Sequence, residues 1–215
     1  MENYLLVKVA DKTLTKEELH QKVKQNSDLL QVLLKGTHSP KATVRYGCAK
    51  VLIDLSEEHP EKLYPHMDTF ITLLDSKYRI LTWNAMAIIA NIAKVDRENK
   101  FDAIFEKYYN FLNNEYMVTV ANVVGNSGKI ALAKPNLIPR ITAELLKVEA
   151  ISVTPHLTEE CKRVIAEKAI GTFDSFFDKI GEKEKKQVLS FVERQLPSSR
   201  RTLSAKAADF LKKWR

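Results

Sequence analysis

The sequence predicts an all-α fold, a right-handed superhelical solenoid of about five antiparallel helix pairs that form one continuous domain, 1–215. Apolar residues recur at spacings of three and four along most of the chain, and the sustained alternation typical of strands is hard to find. There are only six glycines and seven prolines. Pro40, Pro60, Pro135 and Pro197 stand at the edges of the apolar runs, where helices begin and turns occur.

Each repeat unit is predicted to hold two helices, A and then B, joined by a short polar turn. Thr15 and Glu18 have the spacing of a capping box, which marks the start of the first A helix. The predicted A helices are 15–35, 61–75, 98–112, 136–149 and 183–196, and the predicted B helices are 40–57, 77–94, 115–133, 158–179 and 199–214. The five units therefore cover about 15–57, 61–94, 98–133, 136–179 and 183–214.

The B helices align on three columns of mostly apolar residues, each four residues after the one before. The columns are Val44, Leu81, Met117, Ile165 and Leu203; then Cys48, Ala85, Ala121, Ala169 and Ala207; then Leu52, Ile89, Gly125, Phe173 and Leu211. The steps between units are 37, 36, 48 and 38 residues, and the long step contains a loop insertion, 151–157. Small residues in the second column let helix backbones approach closely. Repeated helix pairs of this length stack into a solenoid.

A local pattern of an apolar residue, an arginine and a small residue, Val44-Arg45-Tyr46-Gly47-Cys48, resembles the HEAT repeat of armadillo-like solenoids. Leu73-Leu74-Asp75 is similar to the turn within that repeat. The resemblance covers about 15–215 and implies that the B helices line the concave surface. Tetratricopeptide and ankyrin signatures do not fit. Only the first unit keeps the arginine, since the same column reads Thr82, Val118, Ala166 and Ser204 in the others.

Composition narrows the class of protein. Hydrophobic residues make up 45% and charged residues 28% of the chain, which is typical of a folded rather than a disordered protein. The longest apolar run, Ala85 to Ile92, is too short to span a membrane, and Leu5 to Val7 is too short for a signal peptide. Cys48 and Cys161 cannot form a disulfide framework. We expect a cytoplasmic location and no membrane partner.

Motifs for catalysis and cofactor binding are missing from the sequence. Gly125-Asn126-Ser127-Gly128-Lys129 is superficially similar to a phosphate loop. However, Val123 and Ile130 stand where that motif needs Gly and Ser or Thr, and no strand precedes it. The five histidines are scattered. We therefore expect no cofactor, no metal and no catalytic residue.

One enzymatic alternative stays open. HEAT-like alkylpurine DNA glycosylases grip duplex DNA with their concave helices and place Trp, Asp and Arg around the lesion. Trp83, Asp54 and Arg45 supply these residue types on the first two B helices, although no local motif of that family surrounds them. The other interpretation of Trp83 is packing between units.

The net charge of +7 is concentrated on the predicted B helices, while the A helices are nearly balanced. Basic residues recur at the first turns of four B helices. Beside exposed helix N–H groups they predict a row of anion sites, spaced by the roughly 10 Å between stacked helices. The alternative is that these residues only keep a solenoid soluble. The row consists of Lys41, Arg79, Lys162 with Arg163, and Arg200 with Arg201.

These observations together predict a non-catalytic interaction or scaffold module that binds another macromolecule in a basic concave groove. A protein with an acidic segment is the favoured partner, and nucleic acid is the alternative. The candidate partner-binding residues are Lys41, Arg45, Arg79, Trp83, Lys162, Arg163, Arg200 and Arg201.

Overall fold

The computed structural model describes residues 5–8, 11, 13–26 and 28–215. Within these residues the regular structure is helical, apart from one isolated β-bridge between Thr154 and Leu157. The chain forms two compact units, residues 1–100 and 101–215. None of the helices that the structure describes combines the length and apolarity that a bilayer crossing requires.

The first unit contains short helices that alternate with two long B helices. The capping box is confirmed, because the Glu18 N–H donates to Thr15 Oγ1 and the Thr15 N–H donates to Glu18 Oε2. The α-helices are α1 (Lys16–Gln25), α2 (Asp28–Gly36), α3 (Ala42–Glu58), α4 (Pro60–Leu63), α5 (Met67–Leu73) and α6 (Arg79–Ile92).

Two predicted A helices of the first unit are not continuous. The prediction of one helix over 15–35 is wrong, because Asn26 leaves the helical region with φ −136° and ψ 105°. Its Oδ1 accepts the N–H of Asp28, where α2 begins. The prediction of one helix over 61–75 is also wrong. A 3₁₀ turn, Tyr64–His66, interrupts it at Pro65, which has no N–H to donate.

The second unit continues the alternation of A and B helices. The predicted B helix 158–179 is too long, because Phe176 leaves the helix with φ −142° and a 3₁₀ turn, Phe177–Lys179, follows. The α-helices are α7 (Lys100–Tyr109), α8 (Met117–Ala133), α9 (Ile138–Leu146), α10 (Glu159–Asp174), α11 (Glu182–Glu193) and α12 (Arg201–Trp214).

The predicted columns hold in four B helices and are wrong in α8. There Gly125 is exposed, while Thr119, Val123 and Ser127 are buried and complete the three columns. Because two of these residues are polar, the apolar pattern alone is misleading. Thr119 lies three residues after the N-cap Tyr116, as Val44, Leu81 and Leu203 lie after theirs. The corrected steps are 37, 38, 46 and 38 residues.

One turn motif positions four of the five B helices. A serine or asparagine side chain two residues before the N-cap accepts the N–H of the N-cap residue, which is an ST or Asx turn. The oxygen-to-nitrogen distances are 3.2, 3.2, 3.0 and 3.3 Å. The acceptor and N-cap pairs are Ser39 with Lys41, Ser76 with Tyr78, Asn114 with Tyr116, and Ser198 with Arg200.

Buried polar contacts register the helices within each unit. In the first unit Asn91 of α6 donates to Ser56 of α3 at 2.8 Å, and both residues are buried. In the second unit Tyr109 of α7 donates to Ser127 of α8 at 3.0 Å. Each bond satisfies polar groups that would otherwise destabilise the core. The segment that is similar to a phosphate loop, 125–129, lies within helix α8.

A nearly buried ion pair joins the end of α8 to α7. Lys134 Nζ lies 2.5 Å from Asp102 Oδ2, and only 6% of the lysine side chain is exposed. Lys134 is the C-cap of α8, where a cation also interacts favourably with the helix dipole. A second pair on α7, Glu106 with Arg140, is mostly exposed. Exposed pairs contribute little to stability, whereas a stranded buried charge is costly.

We expect Asp102→Ala to lower the free energy of unfolding by about 2–3 kcal/mol, because it removes the carboxylate that lies against the buried Lys134 ammonium. Glu106→Ala is the matched control on the same helix, with an expected loss below about 1 kcal/mol. Urea unfolding followed by circular dichroism measures both. Equal losses in the two variants would contradict a special role of the buried pair.

Candidate partner-binding groove

The predicted binding residues of the first unit divide into exposed and buried groups. Lys41 is the N-cap of α3, Arg79 is the first residue of α6, and both are exposed. Trp83 of α6 is half-buried. These three residues keep part of their surface accessible on the B helices of this unit.

Arg45 differs from them, because it is 4% exposed. Its Nη1 donates to the carbonyl of Ser39 at 2.7 Å and to that of Pro40 at 3.2 Å, and its guanidinium lies 3.6 Å from the ring centroid of Tyr78. Thr82, at the equivalent position on the next B helix, α6, donates to the carbonyl of Ser76 at 3.4 Å. At this position of α3 and α6 the side chain therefore donates to carbonyls of the turn between the A and B helices.

Two residues of the glycosylase alternative have partners close in sequence. Arg45 is occupied by carbonyls of its own turn, and Asp54 pairs with Lys50 one helical turn away at 2.8 Å. Trp83 is carried by α6. These polar contacts of Arg45 and Asp54 are thus made within helix α3 and its turn, and the Arg45 guanidinium also stacks on Tyr78.

The predicted cations of the second unit face carboxylates. Arg200 contacts Glu160 at 2.6 Å and Glu167 at 2.7 Å, and Arg163 contacts Glu160 at 3.0 Å. Lys162 pairs with Glu159 at 3.7 Å, whereas Arg201 is exposed at the first position of α12. The first turns of α10 and α12 therefore form a network of mixed sign.

This network shifts the protonation of its carboxylates. Hydrogen bonds from Arg200 and Arg163 lower the pKa of Glu160. Burial raises the pKa of Glu167, but hydrogen bonds from Arg200 and Thr202 outweigh it, and the net shift is downward. Both carboxylates thus remain ionised to lower pH than usual and keep opposing the arginine charge.

A cationic surface of one sign lies further along the same B helices. It is a cleft of about 350 Å³ between α8, α10 and α12. We call it the lysine cleft. From α8 it takes Gly125, Gly128, Lys129 and Leu132; from α10 and its C-cap it takes Lys168, Gly171, Thr172 and Ser175; from α12 it takes Lys206.

Helical spacing explains why these residues share one surface. On both α8 and α10 the lining residues follow the spacing i, i+3, i+4 and i+7, which is one face of a helix. Helix α10 packs against both α8 and α12, so the two faces adjoin. Leu132, 46% exposed, adds an apolar contact at the C-terminal end of α8.

Two lysines of the cleft lie across glycines of the preceding B helix. A Cβ atom built on Gly125 would lie 2.2 Å from Lys168 Cε and 2.9 Å from its Nζ. A Cβ atom built on Gly171 would lie 3.1 Å from Lys206 Nζ. Each glycine thus leaves the space that the lysine of the next helix occupies.

The electrostatic character of the cleft follows from its lining. Three lysines and no carboxylate line it within the part of the chain that the structure describes. The carboxylates that influence Lys206 from further away, Glu167 and Asp174, are themselves bonded to Arg200 and Lys213. The cleft therefore concentrates positive potential.

The hydroxyl groups of the cleft are already used as donors. Thr172 Oγ1 donates to the Val124 carbonyl at 3.0 Å, and Ser175 Oγ donates to the Thr172 carbonyl at 2.7 Å. Lys129, Lys168 and Lys206 supply the ammonium groups of the lining. Among the described residues, no group of three or more His, Cys, Asp and Glu could hold a metal ion.

A larger cleft of about 870 Å³ lies at the C-terminal ends of α7 and α9. Its charged lining residues balance, with Glu106 and Glu144 against Lys107 and Lys147. Glu144 pairs with Lys147 at 2.6 Å. This cleft lacks the single sign that distinguishes the lysine cleft.

Sequence reasoning missed the lysine cleft because the register of α8 was wrong by two residues. In the corrected register Gly125 and Gly171 each follow the first column by six residues, while Lys168 and Lys206 follow it by three. The recurring Lys and Gly positions were the signal that could have revealed it.

The fold is that of an armadillo-like α-solenoid. The fold is similar to a designed armadillo repeat protein, with a TM-score of 0.62 and 17% identity over 98% of this chain and 90% of that chain. It is also similar to an engineered protein, with a TM-score of 0.54 and 15% identity over 97% and 87% of the two chains. No protein-family model and no curated protein matches the sequence. The predicted all-α solenoid is confirmed.

The ionic network predicts a shift of carboxylate titration in Arg200→Met. The pKa values of Glu160 and Glu167 should both rise, since the largest bonds that lower them come from Arg200. Nuclear magnetic resonance titration of the side-chain carboxyl carbons measures the change. Arg201→Met, at the exposed neighbouring position, should leave both values in place. Unchanged titration in Arg200→Met would rule out the network as the cause.

Proposed function

We propose that this protein is a non-catalytic interaction module that binds an acidic segment of another protein in the lysine cleft. The observation that carries the proposal is the lining of the cleft, where three successive B helices contribute Lys129, Lys168 and Lys206 and no described residue contributes a carboxylate. Ammonium and carboxylate groups form strong charge-assisted hydrogen bonds. A cleft of one sign attracts and orients an acidic partner.

The surroundings of the cleft favour a short acidic segment over a continuous polyanion. The adjoining first turns of α10 and α12 carry Glu159, Glu160 and Glu167. These carboxylates repel a phosphate backbone that extends past the cleft. A protein segment can place its acidic residues in the cleft alone and an apolar residue on Leu132. Nucleic acid is therefore the second candidate, supported by the lysines and opposed by the flanking carboxylates.

The predicted contacts of the first unit remain part of the proposal. Lys41 and Arg79 are exposed, and Trp83 is half-buried. They offer an acidic partner contacts on the B helices of the first unit. Arg45 is left out, because its guanidinium closes its own turn.

A fluorescent peptide rich in Asp and Glu should bind the protein, and Lys168→Glu with Lys206→Glu should weaken binding at least about tenfold, which corresponds to about 1.4 kcal/mol. In this variant the two glutamates carry the same sign of charge as the acidic peptide and repel it. Fluorescence anisotropy at physiological salt measures the dissociation constant.

The control is Lys183→Glu with Lys212→Glu, which changes the net charge equally at exposed positions outside the cleft. Equal effects of the two double variants, or no binding of acidic peptides by the unaltered protein, would sink the proposal. Tighter binding of DNA or RNA than of peptides, with a steep dependence on salt, would favour the nucleic-acid alternative.

A further inference from the structure

The lysine cleft contains one arrangement twice. Lys168 of α10 lies across Gly125 of α8, and Lys206 of α12 lies across Gly171 of α10. In the corrected register both lysines are in the same column, and so are both glycines. The second arrangement is therefore the first one moved along by one B helix.

This repetition sets the distance between the two ammonium groups. Each ammonium lies beside its glycine, and the two glycines occupy equivalent positions on neighbouring helices. Packed helices are spaced about 8–10 Å apart. The two cationic positions are consequently separated by about that distance, measured across the helices.

Few regular peptide conformations place two side chains at this separation on one side of a chain. A polyproline II segment has three residues per turn and rises about 3.1 Å per residue, so residues i and i+3 lie on one side about 9.3 Å apart. Residues i and i+2 of a β-strand are only about 6.6 Å apart, and residues i and i+4 are about 13 Å apart. Residues i and i+4 of an α-helix are about 6 Å apart, and residues i and i+7 of one face are about 10.5 Å apart, just beyond the helix spacing.

We propose that the lysine cleft selects an extended, polyproline II-like acidic segment with two acidic residues three positions apart, one opposite Lys168 and one opposite Lys206. This inference rests on the proposed function and specifies the partner. The segment crosses α8, α10 and α12 rather than following any one of them. On α12 the position that is glycine in α8 and α10 holds Asp209, which is exposed. Its carboxylate disfavours a third acidic residue of the partner at that position.

The glycines have a defined part in this selection. A methyl group at Gly125 would occupy the space of the Lys168 side-chain end, so that the ammonium must leave its place while the charge of the protein stays the same. The lysine is flexible, and alanine is a better helix former than glycine. Gly125→Ala therefore changes the position of the Lys168 charge while the charge itself is kept.

The test uses labelled peptides of equal composition and charge, each with two Glu residues in a proline-rich frame, separated by one, two or three residues. The peptide with two intervening residues should bind the full chain at least about fivefold more tightly than the others, as measured by fluorescence anisotropy. Lys168→Gln should remove the preference, because one of the two cations is gone.

Gly125→Ala should also remove the preference without lowering the thermal unfolding midpoint, whereas Gly47→Ala on α3, outside the cleft, should leave the preference unchanged. Equal binding of all three peptides by the unaltered protein would overturn the spacing rule and leave the proposed function intact. Absence of binding to every acidic peptide would overturn both. A preference that persists in both Lys168→Gln and Gly125→Ala would place the binding site elsewhere.

Discussion

Close approach of successive B helices is the constraint on which the structure of each unit depends. In the first unit α3 packs on α6, and in the second unit α10 packs between α8 and α12. The second column of the B helices holds Cys48, Ala85, Ala169 and Ala207, all fully buried. Small side chains keep the backbones near one another, and larger ones would force the helices apart. The lysine cleft requires the same proximity, since its lysines reach glycines on the preceding helix.

The turns between A and B helices transmit this constraint to the surface. A repeated ST or Asx turn fixes the first residue of four B helices, and Arg45 and Thr82 bond back to carbonyls of their own turns. These contacts place the start of the B helix at the same position in each of these helix pairs. Because the register is constant, side chains three or six residues after the first column recur at equivalent places on successive helices. A repeated surface arrangement follows from a repeated turn.

The positive charge of the chain is divided into two surfaces of different character. Near the helix starts of α10 and α12, arginines alternate with carboxylates that have lowered pKa values and stay ionised. Further along these helices, lysines stand around glycines without carboxylates among the described lining residues. Paired charges contribute local order, whereas charges of one sign attract a partner. Within the second unit the cleft therefore has a more uniform charge than the network at the first turns of α10 and α12.

Sequence by itself determined the class of fold, the alternation of A and B helices and the capping box at Thr15, because helical periodicity and capping depend on neighbours within a few residues. It also located the excess charge on the B helices. It failed at Asn26 and Pro65, where a local turn interrupts a continuous apolar pattern, and in α8, where buried Thr119 and Ser127 conceal the register. Only the tertiary structure decided which cations are paired and which lie together, because Arg200 meets Glu160 and Glu167, and Lys168 meets Gly125, across more than 30 residues of sequence. Such contacts depend on how helices stack, and no local pattern of residues encodes them.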